Sequence, residues 1–214
     1  MAMNLAYDLV HQGQRVTLVD LDVVNPYFRS SDYATALREH GVRLVAPNFV
    51  RSNLDVPSLP AEMYATLEPE WPADTVIFDV GGDDAGATAL GVFSSEVVRQ
   101  PYQMLYVINQ NRPMTATPAA AAALLGEIEG AARIRATAVV CNTHLQADTT
   151  LETVSQSLEY GQETARLANL PLAAVTVPAA VMPAEPLADR LAGTGTALYP
   201  VRRFVLSPWE TGVE

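Results

Sequence analysis

Apolar positions along the chain alternate between two spacings. From Met1 to His11 they fall at Met1, Leu5 and Leu9, with Ala2, Ala6 and Val10 beside them, and Gly13 follows. That spacing predicts a helix that stops at the glycine. Arg15–Asp20 (RVTLVD) is a short β-branched run and predicts a strand. Ser30 or Ser31 can cap a helix through His40, closed by Gly41, and Val42–Ala46 predicts the next strand. Prolines 47, 57, 60, 69 and 72 make the following stretch irregular, with one short helix at Ala61–Leu67.

The alternation continues through the second half. Thr75–Val80 (TVIFDV) has the composition of a buried strand, and a helix is expected over Ala87–Val98. Met104–Ile108, Ala136–Cys141 and Leu172–Val177 predict three more strands. Thr117 followed by Pro118 has the chemistry of a cap and first helical position, opening an Ala-rich helix to about Gly130. Thr149 and Glu152 are spaced as a capping box for a helix that runs to Ala168. After Pro183 a short helix and an edge strand at Val201–Leu206 complete the series. Strands interleaved with helices in this way argue for an α/β fold, a doubly wound and mainly parallel sheet. No repeat or low-complexity linker divides the 214 residues, so a single domain over 1–214 is the simplest organisation.

Charge narrows the function. The chain has 24 acidic residues against 13 basic ones, a net charge of −11, and every base is arginine. Binding to a nucleic-acid backbone relies on clustered Lys and Arg, so no nucleic-acid partner is expected. Any step that needs a lysine ammonium cannot be carried by these residues alone. No apolar run approaches the roughly 18 residues of a membrane helix. The stretch between Pro200 and Pro208 is too short for an amphipathic anchor, so no membrane partner is expected. Cys141 is the single cysteine, which excludes an internal disulfide framework and a cysteine-cluster metal site and suits the cytoplasm. His11, His40 and His144 lack paired metal spacing, and there is no Gly-x-Ser-x-Gly nucleophile elbow.

In sheets of this class ligands bind at the carboxyl ends of the strands. Asp20-Leu21-Asp22 ends the first strand, Asp79-Val80-Gly81-Gly82-Asp83 the third, and Asn142-Thr143-His144 the fifth. Two nearby carboxylates can hold Mg²⁺ through water. A glycine pair lets backbone N–H groups approach a phosphate, and a side-chain amide can read a purine edge. Any one such Asp can equally be a turn former, which is the first reading for Asp20.

These segments together resemble the ParA/MinD/nitrogenase-iron-protein group, the deviant Walker A P-loop ATPases. Asn4-Leu5-Ala6, Gly13-Gln14-Arg15-Val16 and Val19-Asp20-Leu21-Asp22 resemble the stretch after that family's phosphate loop. Phe78-Asp79-Val80-Gly81-Gly82-Asp83 resembles its Walker B strand and switch II, Val139-Val140-Cys141-Asn142 its base-recognition strand, and Val177-Pro178 the segment beside the adenine. The resemblance spans residues 1 to 180. It implies a P-loop-type fold, ATP and magnesium as cofactors, and slow hydrolysis used as a conformational switch. By the same resemblance Asp22 orients the attacking water and lies at the metal, and Asp79 holds a magnesium-bound water. Gly82 senses the γ-phosphate, while Asn142 and Pro178 hold the adenine. The family also implies a protein partner, which the sequence leaves unidentified, and a homodimer with ATP sandwiched at its interface.

The chain departs from the family at its defining element. It opens inside the first helix, without the preceding strand and glycine-rich loop, and the lysine of that loop has no counterpart. The loop cradles the phosphates and its lysine neutralises the transferring group. Losing one stabiliser of that kind costs on the order of 3–4 kcal/mol of transition-state binding, so negligible hydrolysis is expected from these residues alone. Two readings follow. Either this is an N-terminally truncated nucleotide-binding domain, or it is a loop-less relative that keeps the fold as a non-catalytic protein-interaction module.

Overall fold

The computed structural model describes residues 1–22, 30–47 and 61–204. It divides the chain into two compact units, one of residues 2–100 with Phe204 and one of residues 101–203 with Met1. Both are α/β, and every strand pairing in them is parallel.

The first unit contains α1 (Ala2–His11), β1 (Val16–Leu21), α2 (Ala34–Glu39), β2 (Val42–Val45), α3 (Ala61–Ala65), β3 (Thr75–Val80), α4 (Asp84–Gly91) and α5 (Ser94–Val97). Its sheet has the order β2-β1-β3. β1 is central and buried along its whole length, as an apolar parallel strand should be. Gly13 closes α1 in the left-handed region at φ 86°, which a glycine adopts without steric cost. At the start of the sheet Arg15 grips Asp74 through its backbone N–H at 2.8 Å and through two guanidinium contacts at 3.2 and 2.7 Å.

The two faces of this sheet are covered by different helices. Met3, Ala6 and Tyr7 of α1 and Leu37 of α2 share one core with Val16, Leu18 and Val42, and Leu44 and Ile77 pack against it. These strand residues alternate to a single face. On the other face Trp71 donates to Thr17 Oγ1 at 2.9 Å, and Phe93 packs between Phe78 and Tyr64 of α3. The step from β1 to β2 and the return to β3 therefore use opposite faces, as right-handed crossovers require.

The second unit contains β4 (Leu105–Ile108), α6 (Pro118–Ala132), β5 (Ala138–Cys141), α7 (Leu151–Gln156), α8 (Leu158–Ala168), β6 (Leu172–Pro178), α9 (Glu185–Leu191) and β7 (Ala197–Val201). Its strands run in the order β4-β5-β6-β7. Thr117 caps α6 by accepting the Ala120 N–H, with Pro118 at the first helical position as expected. α8 lies so close to β5 that a Cβ on Gly161 would stand 2.9 Å from Cys141 Cβ. No helix among the described residues is long and apolar enough to cross a membrane.

Several expected boundaries move. The helix expected over Ala87–Val98 is two helices, because Ser94 Oγ bonds back to the Gly91 carbonyl at 2.8 Å and ends the first turn series there. The capping box belongs to Thr150 and Thr153, whereas Thr149 Oγ1 is engaged by Leu145 N and Gln146 O. Ser30 begins a short 3-10 turn and caps no helix. The last strand is Ala197–Val201, and the residues after Phe204 in the expected Val201–Leu206 lie outside the described residues. Pro200 fits that strand because β7 is an edge of its sheet.

Candidate functional site

β1 and β3 end side by side, and their pairing sets Asp20 opposite Asp79. Asp20 is 1% exposed, and its Oδ1 accepts the Asp22 N–H at 3.0 Å. That bond turns the chain out of β1, the structural role expected of this residue. Asp79 Oδ2 accepts a hydrogen bond from Ser30 Oγ at 2.9 Å. Burial pushes the Asp79 carboxyl above its ordinary range, the Ser30 bond pulls it back, and the charges of Asp20 and Asp22 push it up again. The carboxylates of both strand ends thus lie within electrostatic reach of one another.

The loop after β3 is built around glycine, though not chiefly around Gly82. A Cβ on Gly86 would stand 2.6 Å from the Gly81 carbonyl oxygen and 2.7 Å from its Cα. A Cβ on Gly81 would stand 3.2 Å from Asp22 Oδ1. Gly81 is therefore the position that lets β3's end and Asp22 come together, while a Cβ on Gly82 meets nothing within 4 Å. Asp83 Oδ1 accepts the Gly86 N–H at 2.8 Å and caps α4. α1 leads from this end of the sheet back to the start of β1, so its N-terminus shares an end with Asp20, Asp22 and Asp79.

Asn142 and Pro178 belong to the second unit. Asn142 follows β5 directly and its N–H donates to the Ile108 carbonyl at 2.8 Å. Cys141 pairs with Val175, so Asn142 comes next to Thr176, and Thr176 and Pro178 alternate to one face of β6. Cys141 faces α8, so Asn142 takes the opposite face. Thr176 Oγ1 donates to Asn142 Oδ1 at 2.7 Å. Thr143 Oγ1 accepts the Gln110 N–H at 3.1 Å and ties the ends of β4 and β5 together. Beside them His144 Nδ1 accepts the Gln146 N–H at 3.3 Å, and burial, then the Arg112 charge, hold its imidazole below the ordinary value.

The structure thus groups Asp22, Asp79 and the Gly81-Gly82 turn in the first unit, and Asn142 with Pro178 in the second. Sequence reasoning missed Ser30, Gly86 and Thr176. The signal for Thr176 was present, one hydroxyl in the otherwise apolar run Leu172–Val177. Among the described residues no group of three or more His, Cys, Asp or Glu side chains is arranged to hold a metal ion. Two carboxylates remain a suitable partial set for Mg²⁺, which keeps several waters and takes its other oxygens from phosphates. No protein-family model matches the chain, and no curated protein matches it either.

Proposed function

We propose that the chain forms a ParA/MinD-like nucleotide-binding domain that binds Mg-ATP at the carboxyl ends of its parallel strands. The observation that carries this reading is the open edge of β3. β3 has the sequence TVIFDV, that of a strand enclosed on both sides, yet every residue in it is partly exposed and β1 is its one strand neighbour among the described residues. An apolar edge of this length invites a further strand.

The helices indicate which strand that is. α1 and α2 cover the same face of the sheet. With right-handed crossovers, a strand entering α1 steps in the same direction as β1 to β2, which puts it on the β3 side of β1. β3 occupies the adjacent place, so the entering strand falls on the open edge beside Asp79. A loop from that strand into α1 would bring backbone N–H groups to the carboxylates of Asp22 and Asp79, an arrangement suited to a magnesium-bound phosphate. Asp79 and Asp22 would hold the ion, which supplies charge neutralisation at the phosphates. Gly82 would lie at the terminal phosphate.

The absence of lysine favours a second reading, a non-catalytic module in which the same edge receives a protein partner. Titration calorimetry on the full-length product of the locus separates the two. The first reading predicts saturable Mg-ATP binding that Asp79→Ala abolishes. No saturable binding in a folded full-length protein would leave the second.

A further inference from the structure

We infer that Phe204 and Tyr7 form a releasable latch, which holds the segment after β7 on α1 of the first unit and opens while the rest of the fold stays intact. The latch stands apart from the nucleotide reading. The chain passes from the second unit to the first between Arg203 and Phe204. The Phe204 ring meets the Tyr7 ring edge-on, with centroids 4.7 Å apart and planes at 80°. It packs against the core that Met3, Ala6 and Tyr7 share with Leu37 and Val42. Edge-to-face aromatic pairs are favourable beyond the area they bury. Among the described residues no hydrogen bond or ion pair reaches Phe204, so apolar contact is what seats it.

The seat itself works against the contact. Tyr7 is 5% exposed, and among the described residues its hydroxyl is buried without a hydrogen-bond partner. Burial also holds its phenol above the ordinary value. In water that hydroxyl would both donate and accept. Closure therefore buries two aromatic rings and gives up the hydration of one hydroxyl. A contact that is apolar alone and opposed in this way has low local stability, the property of segments that open while their surroundings hold. The remaining aromatic neighbour is fixed. The His40 ring lies 4.6 Å from that of Tyr7, and its Nδ1 donates to the Ala36 carbonyl at 2.8 Å, so it stays with α2. Phe204 is thus the part that leaves, and its departure returns the Tyr7 hydroxyl to water.

Trypsin reads the open state, because cleavage after Arg203 requires Phe204 to leave its seat. At low protease the rate of that cut follows the open population, and the intact mass of the full-length protein reports it. Tyr7→Phe removes the unmet hydroxyl and leaves the cleaved sequence unchanged, so it should slow the cut by about fivefold or more. Phe204→Ala, which removes the ring and leaves the seat, should speed the cut by about fivefold or more with little change in melting temperature. A cut at the wild-type rate or faster in Tyr7→Phe overturns the inference, as does an unchanged rate in Phe204→Ala. A wild type cut after Arg203 only as fast as it unfolds globally also overturns it, since the segment then has no opening of its own.

Discussion

Ser30 and Asp79, 49 residues apart in sequence, are joined by a hydrogen bond of 2.9 Å from the serine hydroxyl to a buried carboxylate. The bond ties the segment after β1 to the end of β3, where two strand ends present acids. It also offsets part of the cost of burying Asp79 beside Asp20 and Asp22.

Ser30→Ala leaves that buried carboxylate short of a donor. Hydrogen bonds to charged groups contribute about 1.5–3 kcal/mol, so urea unfolding at pH 7 should show a loss in that range. Ser30→Thr, which keeps the hydroxyl, should recover most of it.

The loop after β3 makes a sharp contrast between two glycines. Gly86→Ala drives a methyl into the Gly81 backbone, which cannot yield as a flexible side chain would, and overpacking of this kind costs about 1–3 kcal/mol or more. Gly82→Ala meets open space and should change stability by about 0.5 kcal/mol or less. The Gly82 variant is therefore the clean probe of a phosphate role: its melting curve should overlay the wild type while Mg-ATP affinity falls.

At the opposite end of the sheet, the Arg15 side chain and then its backbone N–H hold Asp74 down at about 2, from an ordinary 3.8. A carboxyl depressed in the folded state binds fewer protons there than in the unfolded chain. Its contribution to stability is thus complete above pH 3.8 and is lost as the pH falls toward about 2. Arg15→Met removes the side-chain bonds and keeps the backbone one. NMR titration should show the Asp74 carboxyl rising, yet remaining below 3.8.

Strands were legible where an apolar run is bounded by turn residues, as at Arg15–Asp20, because a run of that composition suits a strand buried on both faces, which β1 is along its whole length. Helix boundaries were less so. The break at Gly91–Ser94 depends on one serine bonding backward, and Thr149 lost the capping role to its neighbour through contacts with Leu145 and Gln146. Asp22, Asp79 and Asn142 could be read as candidates because strand-end position follows from the chain order. Ser30 could not, since its partner lies 49 residues away, and the lone hydroxyl of Thr176 marks a position in its strand without revealing a partner 34 residues away.

The open edge of β3 is the most direct test of the account. Half of the amides of Thr75–Val80 point away from β1, as in any parallel pair, and a strand paired on that edge must bond them. Hydrogen exchange on the full-length protein, resolved to single amides of β3, reads this directly. The account predicts slow exchange at the outward amides as well as at those bonded to β1, with further slowing on addition of Mg-ATP. Fast exchange at the outward amides, unchanged by Mg-ATP, would contradict it.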